Sequence, residues 1–360
     1  MIQNKITRSI PLFGALVVAL VGLALPSYGR PLNVVTTLPD YADLTRQIGG
    51  KYVQVKAIVG GEQDAHFVRP KPSFVSMLRD ADMLIATGLD LEMWLPSAVD
   101  KSANKRIRSG ELGYVSVTAG LHLKERPAAM SRIEGGLHIY GNPHITVCPL
   151  NMLVVIENIA IGLSRNDPEH KIEFDANKKA LLGRLYQKLY GEELVSLMGG
   201  ETLVGLHRER KLLAFLKHKS FKGTPLIQRL GGWVKQLAPL RGTKLVTYHK
   251  NWKYFLDTFG LEDGGNIEPK PGIPPSPRHL AELRARMTSE NTKLVLAASY
   301  FDERTTRQLA SWVHGEAVMV PYYVGGAPGI DSYISLVDHW VNRICEASAK
   351  VGLLKAVNNG

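Results

Sequence analysis

The run Leu32-Asn33-Val34-Val35-Thr36-Thr37-Leu38-Pro39 is β-rich and ends in a turn. A helical pattern follows over residues 41–48, closed by Gly49-Gly50. Then comes Val53-Gln54-Val55-Lys56-Ala57-Ile58-Val59, a second strand pattern closed by Gly60-Gly61. Pro72-Ser73 opens a helix to Arg79, and residues 81–87 read as a buried strand. Strands alternating with helices predict an α/β layered sheet. The same grammar returns late in the chain: strands at 244–248, 293–298 and 317–320, helices at 252–259, 278–287 and 303–314.

Between these units the chain reads differently. Leu153, Ile156, Ile159, Ala160 and Leu163 keep helical spacing until Asn166-Asp167-Pro168 interrupts them. Residues 175–189 resume a long helix with Ala180, Leu181, Leu185 and Leu189 on one face. The expectation is an α/β protein of two lobes with central, mainly parallel sheets, joined by a long rigid helix. The boundaries are an N-terminal lobe at 30–165, a linking helix at 166–195, an insertion at 196–240 and a C-terminal lobe at 241–360.

A chain of 360 residues, 45% hydrophobic, can bury a core in each lobe. Its start is of another kind. Lys5 and Arg8 precede an apolar stretch, 10–25, and Pro26-Ser27-Tyr28-Gly29 ends in small residues. That stretch is shorter than the roughly 20 residues of a membrane span. It predicts a cleaved secretory leader over residues 1–29 and a periplasmic protein. The formal charge is +11, or +9 without Lys5 and Arg8. The basic residues read as a solvated surface, with modest clusters at Arg208-Arg210-Lys211 and Lys217-Lys219-Lys222, and no nucleic-acid partner is expected. The two cysteines, Cys148 and Cys345, are expected as separate thiols, too few for a disulfide scaffold.

Of 11 histidines, three sit where α/β proteins bind ligands. His66 ends the loop after the second strand, His144 lies in Gly141-Asn142-Pro143-His144, and His249 ends the strand at 244–248. A carboxylate, Asp331, follows the loop Gly325-Gly326-Ala327-Pro328-Gly329-Ile330. Ligand sites gather at the carboxyl ends of strands, and three imidazoles with one carboxylate make a plausible zinc shell. The same donors can hold manganese. None of the spacing is local, so the residues alone give a weak site. Tyr300-Phe301-Asp302 and Pro321-Tyr322-Tyr323 are expected near the cleft.

Glu62-Gln63-Asp64-Ala65-His66 with Arg69-Pro70-Lys71-Pro72-Ser73, Asn142-Pro143-His144, Thr247-Tyr248-His249 and Gly329-Ile330-Asp331-Ser332-Tyr333 resemble, in order, the motifs of the zinc/manganese solute-binding proteins of bacterial ABC metal importers. The resemblance runs through most of the chain after the leader. It implies metal ligands His66, His144, His249 and Asp331 in the cleft between the lobes. It also implies Zn2+ as transported ligand, with Mn2+ the alternative, and an ABC-type metal permease as partner of a monomeric binding protein that is not an enzyme. Asn142 departs from the family's usual aspartate, and Ile145-Thr146-Val147-Cys148 departs from its usual continuation; both bear on how His144 is oriented. His122 and His138 read as surface residues, the only remnants of the family's histidine-rich loop. The competing readings are a secreted zinc hydrolase, with Glu62 or Asp64 as base, and a metal-binding surface adhesin. No His-Glu-x-x-His or nucleophile elbow supports the hydrolase.

Overall fold

Strands buried on both faces are apolar throughout, and two such runs, Met83–Ala86 and Leu294–Ala298, form the spines of two sheets. The computed structural model describes residues 30–126 and 138–354; the leader expected over 1–29 lies outside them. The first lobe runs β1 (Leu32–Thr36), α1 (Pro39–Gly49), β2 (Val53–Ala57), α2 (Pro72–Arg79), β3 (Met83–Ala86), α3 (Leu95–Ser102) and β4 (Tyr114–Ser116). Its strands are parallel in the order β2-β1-β3-β4. α4 (Pro149–Asn166) and α5 (Lys171–Tyr190) follow.

The segment expected as an insertion at 196–240 is folded, together with the residues just before it. It contains α6 (Glu192–Met198), α7 (Gly200–Arg208), α8 (Leu212–His218), the hairpin β5 (Ser220–Phe221) and β6 (Thr224–Pro225), and α9 (Gly232–Leu237). Leu194, Leu203, Leu216, Trp233 and Leu237 tie it into the main core. The linking helix is shorter than expected: α5 begins only after the Asp167-Pro168 break and stops at Gly191, whose φ of 87° a side-chain-bearing residue rarely adopts.

The second lobe runs β7 (Lys244–Thr247), α10 (Lys253–Phe259), β8 (Glu262–Asn266), α11 (Pro277–Ser289), β9 (Leu294–Ala298), α12 (Glu303–Trp312), β10 (Glu316–Val320) and α13 (Tyr333–Lys350). Its parallel order, β10-β9-β7-β8, repeats the first sheet: each lobe's first strand lies between its second and third. In such sheets the chain leaves in opposite directions at the first strand, which opens a crevice at the strands' carboxyl ends. Among the described residues no helix is long and apolar enough to cross a membrane.

One core joins the lobes. Trp252 and Trp340 meet edge to face at 5.1 Å, and both belong to the cluster that contains α1, α4 and α5 side chains. Backbone also meets backbone: a Cβ on Gly61 would come within 2.3 Å of Gly326 N, so the loop after β2 nests against the loop after β10 only as glycine. Two α1 carboxylates complete the seam. Asp40 Oδ1 accepts from Val324 N at 2.8 Å, and Asp43 Oδ2 accepts from Tyr333 N, the first residue of α13, at 2.8 Å. Cys148 and Cys345 are free thiols, as expected.

Asp40 is fully buried and its Oδ2 has no partner among the described residues. Burial, and secondarily the Asp43 charge, push its carboxyl up to about 8 against the bonding from Val324 N. The folded state therefore binds this proton more tightly than the unfolded chain. The resulting stability is full below the ordinary carboxyl range and is lost as pH rises through about 8. In Asp40→Asn this loss should vanish. Denaturant unfolding of the metal-free proteins from pH 5 to 8.5 should show the two stabilities diverging by several kcal/mol, on the order expected for such a shift. Parallel curves would contradict a protonated Asp40.

Candidate metal centre

The loop from Gly60 to Ala65 carries His66 into the crevice. Asp64 caps the short 3-10 turn Ala65–Phe67: its Oδ1 accepts from His66 N at 2.9 Å and from His66 Nδ1 at 2.7 Å. Burial opposes the Asp64 charge, but the His66 hydrogen bonds outweigh it and hold the carboxyl below its usual range. Trp94 Nε1 donates to Ala65 O at 2.9 Å and fixes the turn from behind. With Nδ1 committed to a carboxylate, His66 presents Nε2 as a lone pair.

His249 is built the same way from the other lobe. β7 ends at Thr247, and His249 Nδ1 lies 2.7 Å from Glu268 Oε2, at the start of the loop after β8. Glu268 Oε1 accepts from Gly272 N at 3.0 Å, which keeps the carboxylate oriented. His249 Nε2 is buried without a hydrogen-bond partner.

Asn142 positions His144. Its Oδ1 accepts from His144 N at 2.9 Å, and its Nδ2 donates to Glu125 Oε2 at 2.7 Å and to Lys250 O at 2.9 Å. Tyr254 Oη donates to Asn142 O at 2.7 Å. The departure from aspartate thus has a physical reason: only the amide can accept from His144 and also donate to Glu125 and to the carbonyl beside His249. The His144 ring itself is 3% exposed, and neither nitrogen has a hydrogen-bond partner among the described residues. Burial, then the neighbouring His66 and His249, push its pKa well below the ordinary histidine range.

His138, read from the sequence as a surface residue, stands with these three. Its Nε2 lies 3.2 Å from His66 Nε2, and burial with the neighbouring histidines pushes its pKa down to about 3. Donor atoms of His66, His138, His144 and His249 all lie within 4.8 Å of one another. Asp331 is exposed and is not part of this group. His122 lines a separate recess beside Cys148 and His207. The aromatic expectation is met: Tyr322 and Phe301 lie 6.3 and 6.1 Å from the rings of His144 and His249. The signal that could have found His138 is its place six residues before His144, at the mouth of the same loop.

Four imidazoles whose donor atoms lie within 4.8 Å of one another face one small space, and the low proton affinity of His138 and His144 keeps those two rings' lone pairs free. A cation with nitrogen-binding chemistry satisfies them. In a tetrahedral zinc shell with bonds of about 2.0–2.1 Å, neighbouring nitrogens sit roughly 3.3 Å apart, close to the 3.2 Å between His66 and His138.

The family model of the periplasmic zinc-uptake complex component A matches residues 34–190 and 227–347. The chain is 24% identical over 292 residues to the zinc-binding lipoprotein AdcA of Streptococcus pneumoniae, covering 79% of this chain but only 48% of AdcA. It is 22% identical over 324 residues to the iron-binding protein YfeA of Yersinia pestis, covering 88% of this chain and 86% of that one. A zinc-bound deletion mutant of ZnuA shares the fold with a TM-score of 0.65 at 21% identity, covering 88% of this chain and 98% of that one.

The network at residue 142 makes a test. Asn142→Asp removes the donors to Glu125 and Lys250 O and sets a second carboxylate beside Glu125. It should destabilise the chain by about 2 kcal/mol and weaken metal binding about tenfold or more. Chemical denaturation and competition titration measure both. Unchanged or tighter binding would contradict the assigned role of the amide.

Proposed function

We propose that this chain, which belongs to the family of periplasmic zinc-uptake complex component A proteins, captures one divalent transition metal on His66, His138, His144 and His249 and delivers it to an ABC-type permease. The observation that carries the reading is the group of buried imidazole nitrogens without partners. Unpaired buried polar atoms cost about 1–3 kcal/mol each, and a bound cation takes up one nitrogen of each ring. Zinc is favoured over manganese because imidazole suits zinc, whereas manganese prefers carboxylate, carbonyl and water.

The same donor set speaks for transport over hydrolysis. Catalytic zinc keeps a position open for water, and four imidazoles close a tetrahedral shell. Asp64 and Glu268 are engaged with ring nitrogens and act as positioning groups for the ligands. Three ligands come from the first-lobe side and only His249 from the second, so a small withdrawal of the β7 end breaks the shell. Release at a permease then requires loss of one donor first, without unfolding of the shared core.

Competition titration of single variants separates this ligand set from one containing Asp331. The parent chain should hold one zinc, with His138→Ala and His144→Ala weakened at least about a hundredfold and Asp331→Ala within about threefold of the parent. A chain in which Asp331→Ala is crippled and His138→Ala is not would overturn the four-imidazole set.

A further inference from the structure

Between Thr202 and Leu256 the chain carries twelve lysines and arginines and one acidic residue, Glu209. This stretch alone therefore accounts for the +11 of the whole chain; everything outside it carries 32 charges of each sign. Much of it lies in residues 191–226, the segment that the family match passes over. Six of the twelve cations, Lys217, Lys219 and Lys222 among them, lie in that segment, and the other six lie within the matched residues.

The density peaks where α8 runs into the β5–β6 hairpin. α8 buries Leu212 and Leu216, and its end turns Lys217 and His218 outward. Lys217, Lys219 and Lys222 are all exposed and fall within six residues, hence within about 20 Å of one another even if extended. None of the three has an ion-pair partner among the described residues, unlike Lys211 on Glu209 and Arg229 on Glu193. Lys222 and Gly223 turn the hairpin with φ of 49° and 79°. Phe221, 40% exposed, stands at this tip with Lys222 Nζ 5.5 Å and Arg229 Cζ 5.9 Å from its ring centre.

An exposed aromatic ring beside a two-residue turn, with lysines free of ion pairs on the same hairpin, has the two properties of an interfacial anchor. The ring enters the boundary between headgroups and acyl chains, and the lysines stay at the level of anionic headgroups. An acidic protein partner would satisfy the lysines but would need a separate apolar pocket for the ring, whereas a bilayer offers anionic headgroups and an apolar boundary at one surface. We propose that Lys217, Lys219, Phe221 and Lys222 form a docking surface for a bilayer rich in anionic lipid, holding the protein reversibly at the membrane surface.

Sedimentation with lipid vesicles tests this on the chain from Pro31 onward, which forms one compact unit. It should bind vesicles containing about 30% phosphatidylglycerol at low salt, fail to bind neutral phosphatidylcholine vesicles, and be released near 0.5 M salt as roughly expected for screened charges. Lys217→Glu/Lys219→Glu/Lys222→Glu should weaken binding about a hundredfold, and Phe221→Ser about tenfold. Both variants should still hold one zinc, which separates failure here from failure of the metal reading. No binding to anionic vesicles at low salt, or binding that the triple variant leaves intact, overturns the proposal. Binding only to membranes that contain acidic protein overturns it too and assigns the patch to a protein face.

Discussion

Four ring nitrogens, on His138, His144 and His249, are buried with no hydrogen-bond partner among the described residues, and a fifth, on His66, faces only another imidazole. A folded protein rarely tolerates this unless something else fills the space. The rest of the centre follows from that constraint. Asp64 and Glu268 each take up one nitrogen of a ring and so direct the other inward. The low proton affinity of His138 and His144 keeps those rings from meeting the need with protons.

Holding four rings so close requires a stiff frame. The two sheets supply it by sharing one core through Trp252, Trp340 and Tyr333 rather than meeting across open solvent. The α1 carboxylates Asp40 and Asp43 take backbone N–H groups from the opposite lobe, and Gly61 lies against Gly326. Asn142 links the His144 loop directly to the carbonyl of Lys250, the residue after His249, so the spacing of two donors is set by one amide. A binding protein with so little slack would release its ion by local displacement of a donor, not by wide opening.

The layered architecture is legible in the sequence because its central strands are buried on both faces and its helices alternate with them. β8, Glu262-Asp263-Gly264-Gly265-Asn266, is not: it is an edge strand without an apolar residue, and only pairing with β7 makes it a strand. α13 was readable in principle, since Leu336, Val337, Trp340, Val341 and Ile344 keep helical spacing after a Ser332 cap. His66, His144 and His249 are legible by motif. His138 is not: its one sequence signal is its place six residues before His144, and only the fold brings its ring to the other three. Asp331 looks like a ligand in its motif, yet it is exposed and outside the group of four imidazoles. The basic hairpin was visible as a cluster of lysines, but its meaning depends on Phe221 being held at the tip, which only the fold shows.

X-ray absorption spectroscopy of the zinc-loaded chain tests the central claim most directly, because it counts the imidazoles around the metal. Four nitrogen donors at about 2.0 Å, with outer-shell scattering from four rings and a loss of one ring in His138→Ala, are the predicted result. A shell of three imidazoles with a carboxylate oxygen, unchanged by His138→Ala, would contradict it.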